Sequence, residues 1–388
     1  MQLIGKKNKS TLLLILITGL FVIEFLATIY LHYSNANTTR MVGVYKLILE
    51  LFLFLTISPK HFFGKIQYSI VFLIVIYLAN QLLNPSLLSN LEFHLTKGSI
   101  YYLNKYIFIF IFILSFSSLE NPQKTAQSLL KIIEYALFIN IILMIFGVVS
   151  DIGLFRSYPK PSDRFGSDGM FNKVNETSYF YIILMAHTYY KIICGKEKIY
   201  KLIIIIVAGL LLGTKAILFF LGLLLLLHFV FVSRIKRLFR IALIPMLVLG
   251  ILFFETSISF LFELSPFWSN LKPHYSLTTL LFSTRDMLLI DNLTYISQNW
   301  GFINYWIGGP YYTLDFFNIE MDLPDLILFF GTIGTIVYLS LLKIIYFKNN
   351  SFLVNSLLLL VILTGFLAGG MFLSVMTMIY LYLFKIAA

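Results

Sequence analysis

Cysteine is almost absent from this 388-residue chain. Cys194 stands alone, which excludes an intrachain disulfide framework and a cysteine-rich metal site. Charge is scarce as well. Asp, Glu, Lys and Arg together make 12% of the residues, about half the share usual in a soluble domain. Apolar residues reach 59%, and the mean hydropathy is +0.88. This balance excludes a water-soluble enzyme, and also a disordered chain, which needs few apolar residues and many charges. No HExxH, GxxxxGK(S/T), GxSxG or GxGxxG occurs, so ATP-driven transport and metalloprotease chemistry are not expected. The six histidines (His32, His61, His94, His187, His228 and His274) offer no helical pair for a metal. No metal or cofactor is expected, and no nucleic-acid partner.

What is present is long apolar runs. A helix needs about 20 mostly apolar residues to cross a hydrocarbon core roughly 30 Å thick. About twelve segments qualify, near 11–32, 41–58, 66–83, 99–118, 127–150, 177–194, 200–213, 215–232, 241–260, 324–345, 352–368 and 370–386. The expected fold is all-α, one polytopic membrane domain over 1–388. The run YIFIFIFIL is apolar all round, which suits a helix in lipid better than a half-buried strand. Gly213 in GLLLGTKA is expected to break the 200–232 stretch into two helices joined by a tight turn. The first segment is too long for a signal-peptide core and reads as an uncleaved span.

The net charge of +11 is first a topology signal. With the N-terminus inside, 18 of the 29 Lys and Arg fall on inner ends and loops and 9 on the outer side, while Lys46 and Lys105 lie within spans. That bias places both termini in the cytoplasm. Inside the spans, Lys46 and Glu50 are four apart and could pair on one helix face.

Two outer segments depart from short connections: 151–176, and a large loop near 261–323. A connection of the second length should fold and carry function. It holds all three tryptophans, Trp268, Trp300 and Trp306, residues that favour the membrane interface. Leu277, Leu280, Leu281, Met287, Leu288 and Leu293 recur at near-helical spacing, which predicts an amphipathic helix resting on the bundle or on headgroups.

The acidic residues concentrate here. Eleven of the 18 lie in or beside these segments: Asp151, Asp163, Asp168, Glu176, Glu263, Asp286, Asp291, Asp315, Glu320, Asp322 and Asp325. Arg156, Lys160, Arg164 and Lys173 oppose the charge rule on the outer face. They either pair with local carboxylates or bind an anion. In RFGSDGMFNKVNETSYFYIILM, Gly166 and Gly169 allow an irregular backbone. Asn175 is a candidate cap for the next helix, with Glu176 in its first turn. A helix N-terminus suits phosphate, and Arg164 adds a planar fork that grips two oxygens at once. Lys215 opens a span, either as a snorkelling lysine or as a ligand-facing one. Arg285 stands beside Asp286 on the loop helix. Glu320, Asp322 and Asp325 cluster at the last loop-to-span junction. They are candidate bases or hydroxyl acceptors, and Asp322 is equally a candidate N-cap, with Pro324 in the first turn.

In this order, the features resemble bacterial O-antigen and capsule polymerases of the Wzy type and the related O-antigen ligases. An Arg–x–x–Gly…Asn–Glu motif is matched by Arg164, Gly166 (one residue closer), Asn175 and Glu176. A small–basic–small span start is matched by Thr214, Lys215 and Ala216. Arg285 matches the arginine opening the large loop's helix. Ile307, Gly308 and Gly309 loosely match an lGxG element. Glu320, Asp322, Gly331 and Gly334 match an acidic stretch leading into l..fG.iG. The layout covers most of the chain, and the residue matches lie between about 150 and 340. Ligases usually carry a histidine near the end of the large loop. None stands in YYTLDFFNIEMD, and His274 is too early, which favours the polymerase.

The resemblance implies metal-independent glycosyl transfer at the outer face of the bacterial inner membrane. Undecaprenyl-diphosphate-linked glycans would be donor and acceptor, and diphosphate the leaving group. Arg164 and Arg285 would hold the diphosphate, with Lys215 or Lys173 assisting. A carboxylate among Glu320, Asp322 and Asp325 would orient or deprotonate the acceptor. Asn175, Glu176 and Asp286 are further candidate substrate-binding residues. Membrane lipids, a chain-length regulator and a flippase are the implied partners. The alternatives are an O-antigen ligase, a lipid-linked oligosaccharide flippase, or a structural membrane protein. Flippases have evenly short loops and charges lining a central cavity, unlike this chain.

Overall fold

A computed structural model describes residues 6–34, 39–58, 64–83, 93–158, 164–171, 173–232, 266–309, 319–348 and 350–388, with 242, 256, 259 and 263 singly between them. Most of the expected span at 241–260, Glu255 included, the basic run from Arg234 to Arg240, and Lys160, Asp163 and Asp315 lie outside the described residues.

Among the described residues the chain is helical, and its only bridge joins Arg156 to Ser167. The first five helices are α1 (Lys6–Ser34), α2 (Thr39–Thr56), α3 (Lys65–Leu83), α4 (Phe93–Ser117) and α5 (Pro122–Ser150). Then come α6 (Val174–Ile193), α7 (Ile199–Leu211) and α8 (Lys215–Leu227). The large loop forms four short helices: α9 (Pro266–Leu271), α10 (Leu277–Phe282), α11 (Arg285–Asn299) and α12 (Phe302–Ile307). Finally come α13 (Asp322–Tyr346), α14 (Phe352–Ala368) and α15 (Val375–Ala387).

Among the described residues, six stretches are long and apolar enough to cross a membrane: Asn8–Ser34, Lys65–Leu83, Ser99–Ser117, Pro122–Ser150, Lys215–Val232 and Asp322–Tyr346. α7, α14 and α15 are apolar but shorter. α2 and α6 form where spans are expected, but Arg40, Lys46 and Glu50 dilute the first and polar end turns the second.

α6 and α15 form the centre. Thr177–Tyr189 and Val375–Phe384 are buried without interruption, because α6 is packed by α7, α8, α14 and α15, and α15 by α4, α5 and α6. Apolar side chains such as Leu47, Leu51, Val71, Val75 and Leu78 point outward from α2 and α3, as hydrocarbon-facing residues do.

Two ends can be told apart. At one, Thr125 bonds Ser10, Lys191 bonds Glu134, and Tyr190 bonds the carbonyl of Ala388. The chain termini therefore share an end. At the other end Thr28 bonds the carbonyl of Met170, Tyr179 that of Gly369, and Asp322 the nitrogen of Gly370. The two long connections gather there.

Several expectations need correction. Lys46 does not pair with Glu50. It reaches Glu24 of α1 at 3.2 Å, and Glu50 accepts from Asn104 at 3.0 Å, because α2 is held between α1 and α4. The last span starts at Val375 instead of 370, since Gly369 and Gly370 adopt φ +67° and +80°. The loop helix is split into α10 and α11 by Ser283 and Thr284, both left-handed at φ 55° and 67°. Only Leu280 of its apolar set is deeply buried, while Met287 and Leu293 face outward. The break at Gly213 stands as expected: α7 ends at Leu211, α8 starts at Lys215, and Gly213 has φ +68°.

Candidate functional site

The segment 164–171 is laid onto the α7–α8 turn by its own polar atoms. Ser167 donates its N–H to Leu211 and its hydroxyl to Phe155, at 2.8 and 2.7 Å. Asn140 of α5 accepts from the Met170 nitrogen at 2.6 Å and donates to the Asp168 carbonyl at 3.1 Å. A Cβ on Gly213 would lie 2.1 Å from the Phe165 carbonyl oxygen, so only glycine permits this approach. Arg164 is thereby delivered beside Lys215, two residues past that turn.

The large loop joins them. The guanidinium of Arg164 lies 4.0 Å from the Tyr158 ring centroid and 5.3 Å from that of Trp268. The Lys215 ammonium lies 3.7 Å from the same indole. Trp268 thus contacts both cations, through the negative face of its ring. Lys215 also donates to the Leu280 carbonyl and, at 3.1 Å, to the Ser283 hydroxyl. That contact fixes the α10–α11 turn and with it Arg285, the first residue of α11. Asp286 holds the same turn, accepting from the Thr279 hydroxyl at 2.7 Å. Arg285 is within electrostatic range of both Arg164 and Lys215. Three expected residues from three distant segments are therefore brought together.

Arg285 is 14% exposed and pairs with the half-exposed Glu320 at 3.2 Å. Its Nε is buried with no hydrogen-bond partner among the described residues, a donor left over after the ion pair. Burial lowers the pKa of Arg164; Tyr158 opposes the shift and Arg285 adds to it. The guanidinium nonetheless stays charged. Burial pushes the Asp168 carboxyl up to about 8, with its own backbone N–H opposing.

The three carboxylates at the α13 junction separate. Asp322 and Asp325 are each 1% exposed. Asp322 is not the N-cap, a place taken by Met321. Its oxygens instead accept from the nitrogens of Gly370, Met371 and Phe372, at 2.7, 3.0 and 3.2 Å. Those are N–H groups of the break before α15 that lack a helical acceptor, and the carboxylate supplies what the missing turn does not. Asp325 accepts from Ile319 and Met321. Glu320 alone of the three reaches both the surface and a cation.

Asn175 does not cap α6. The helix begins earlier, with Lys173 at the cap, because the Thr177 nitrogen already bonds the Lys173 carbonyl at 2.9 Å. Asn175 is left exposed in the first turn. Glu176 turns inward to accept from Ser374 at 2.6 Å, and lies within range of Lys46, Lys173 and Lys105. A small cavity lies there, lined by Glu24, Lys173, Glu176, Phe21, Phe171 and Phe180 among others. These residues form a second polar group, apart from the Arg164–Lys215–Arg285 group.

Trp268, Tyr158, Ser283 and Glu24 are parts of these arrangements that the sequence reading assigned no ligand role. Only the accumulation of tryptophan in the loop hinted at the first. Among the described residues no three His, Cys, Asp or Glu side chains gather in a metal-binding arrangement. Comparison with protein-family models, with curated proteins and with solved structures returns no match.

Proposed function

We propose that this protein is a membrane-embedded glycan polymerase that joins repeat units carried on undecaprenyl diphosphate. The observation that carries this reading is the convergence of Arg164, Lys215 and Arg285 at the end where the long connections meet. Like charges held together out of bulk water repel strongly. Such a group is favourable when an anion of two or more charges sits among the cations, and a diphosphate meets that description. Polyprenyl chains can reach it through the apolar flanks of the bundle.

In the proposed reaction an acceptor sugar hydroxyl oxygen bonds to the anomeric carbon of the donor. The bond from that carbon to the diphosphate oxygen breaks, and the electron pair leaves with the diphosphate. The hydroxyl proton passes to a base. Glu320 is the placed carboxylate with access, and Arg285 beside it links base and leaving group. Asp322 and Asp325 support the reading only as the frame that holds Glu320 in position. The cations stabilise the charge that grows on the leaving oxygens.

The test uses purified protein in vesicles with a lipid-diphosphate-linked repeat unit. Wild type should yield a ladder of longer products. Arg164→Ala or Arg285→Ala should slow ladder growth by roughly 100-fold or more, the size seen when one charge-stabilising donor is lost. A folded alanine variant of either arginine with a wild-type ladder removes that arginine from the mechanism. Transfer to a lipid anchor without lengthening would instead identify a ligase, and movement across the bilayer without bond formation a flippase.

A further inference from the structure

Joining two lipid-linked glycans brings two diphosphates to one protein, and the Arg164–Lys215–Arg285 group accounts for one. The second polar group supplies three further cations from three different elements: Lys46 on α2, Lys105 on α4 and Lys173 at the cap of α6. Two carboxylates accompany them. Glu24 pairs with Lys46 at 3.2 Å, and Glu176 is engaged by Ser374 at 2.6 Å. One positive charge remains in excess, and Lys105 has no ion pair among the described residues. Its ammonium lies instead over the rings of Tyr101 and Tyr102, at 4.3 and 5.1 Å. Lys46, Lys173 and Glu176 are all within electrostatic range of it. Of the three lysines, Lys173 lines the small cavity, with Glu176 and with Glu24, the partner of Lys46.

One carboxylate connects the two groups. Tyr102, under Lys105, lies within electrostatic range of Glu320, and Glu320 is bound to Arg285. Two cationic groups connected through one accessible carboxylate suit a condensation of two anionic lipids.

Building on the polymerase reading, we propose that Lys46, Lys105 and Lys173 form a second diphosphate site, which holds the acceptor lipid while the arginine site holds the donor. Glu24 and Glu176 keep the lysines spread and partly neutralised when the site is empty.

The experiment is native mass spectrometry of the full chain in detergent with undecaprenyl diphosphate, and separately with inorganic pyrophosphate as competitor. Wild type should carry two lipid diphosphates, both displaced by pyrophosphate. Lys105→Gln with Lys173→Gln should carry one, the second binding at least about tenfold more weakly, while Lys105→Arg with Lys173→Arg should keep two. Arg164→Ala with Arg285→Ala should also carry one, lost on adding the two glutamines. A wild type that carries one lipid, lost in the arginine variant and untouched by the glutamines, overturns the second site and leaves the polymerase reading intact. A second lipid that persists in the glutamine variant and resists pyrophosphate is held by its tail, and overturns it equally. A wild type that carries no lipid diphosphate sinks the polymerase reading itself. An unchanged melting temperature in the glutamine variant separates loss of a site from loss of fold.

Discussion

Gly308 and Gly331 are interlocked. A Cβ on Gly331 would lie 2.3 Å from the Gly308 nitrogen, and a Cβ on Gly308 would lie 2.5 Å from the Phe329 carbonyl. Gly331 sits inside α13 at φ +67°, ψ −176°, a break in the helix, and Gly308 at φ +87° ends α12. The Gly309 nitrogen bonds the Leu328 carbonyl at 3.3 Å, and Asn80 of α3 donates to Gly309 at 3.2 Å. The two glycine elements of the sequence are thus one joint, which ties the large loop to α13 just beyond the junction that carries Glu320.

Gly331→Ala and Gly308→Ala should each destabilise the protein by at least about 1–2 kcal/mol from the left-handed backbone alone, with backbone overlap added. The check is the melting temperature of the purified variants. An unchanged value for either would show that α12 and α13 do not meet in this way.

Asp322→Ala should lower the yield of folded protein severely. It leaves three backbone N–H groups without an acceptor, each at roughly 1–3 kcal/mol when buried. Asp322→Asn keeps one acceptor oxygen and should recover part of the loss. If Asn at this position leaves stability at the wild-type level while product formation stops, Asp322 acts in chemistry and not as a frame.

Stability should depend on pH through Asp168. Its folded pKa, about 8, is above the ordinary carboxylate value. The folded state therefore binds the proton more tightly, the contribution is complete below about pH 4, and it is lost as pH rises through 8. Wild type should melt at higher temperature at pH 5 than at pH 8. Asp168→Asn should flatten that slope and raise the melting temperature at pH 8, the gain in stability being of order a few kcal/mol at most. A slope unchanged in Asp168→Asn would assign the dependence to another group.

A double-mutant cycle should couple Lys46 to Glu24 and not to Glu50. Charge removal at Lys46 and Glu24 should be non-additive by about 0.5–3 kcal/mol, and at Lys46 and Glu50 nearly additive. The reverse pattern would restore the pairing along one helix face.

Exchanging Trp268 for Leu keeps apolar bulk and removes the ring shared by Arg164 and Lys215. Diphosphate affinity should fall several-fold, in line with about 0.5–2 kcal/mol for cation–π contacts, and Trp268→Phe should lose less. Equal affinity in Leu and Phe variants would make the indole a spacer only.

Helices are readable from this sequence because apolar length is a local property. The runs that became α1, α3, α4, α5, α8 and α13 could be marked from composition alone. So could the turn at Gly213, where a glycine interrupts an unbroken apolar stretch. The candidate cations Arg164, Lys215 and Arg285 stood out because charge is rare in such a chain and each opens or precedes a helix. Which groups touch is decided elsewhere. Lys46 could face Glu50 one turn away or Glu24 on a neighbouring helix, and only the rotation of α2 against α1 selects between them. Asp322 could cap its own helix or fill the break before α15, and only the approach of Gly370 selects the second. Trp268 comes to lie against both Arg164 and Lys215, which stand about a hundred and about fifty residues before it in the chain. Hydrophobicity along the chain determined that these segments are helices, about twelve by apolar length, of which six among the described residues are long and apolar enough to cross a membrane. The tertiary packing decided which polar side chains meet, because contacts between helices depend on rotation and register, and periodicity within one segment leaves both free.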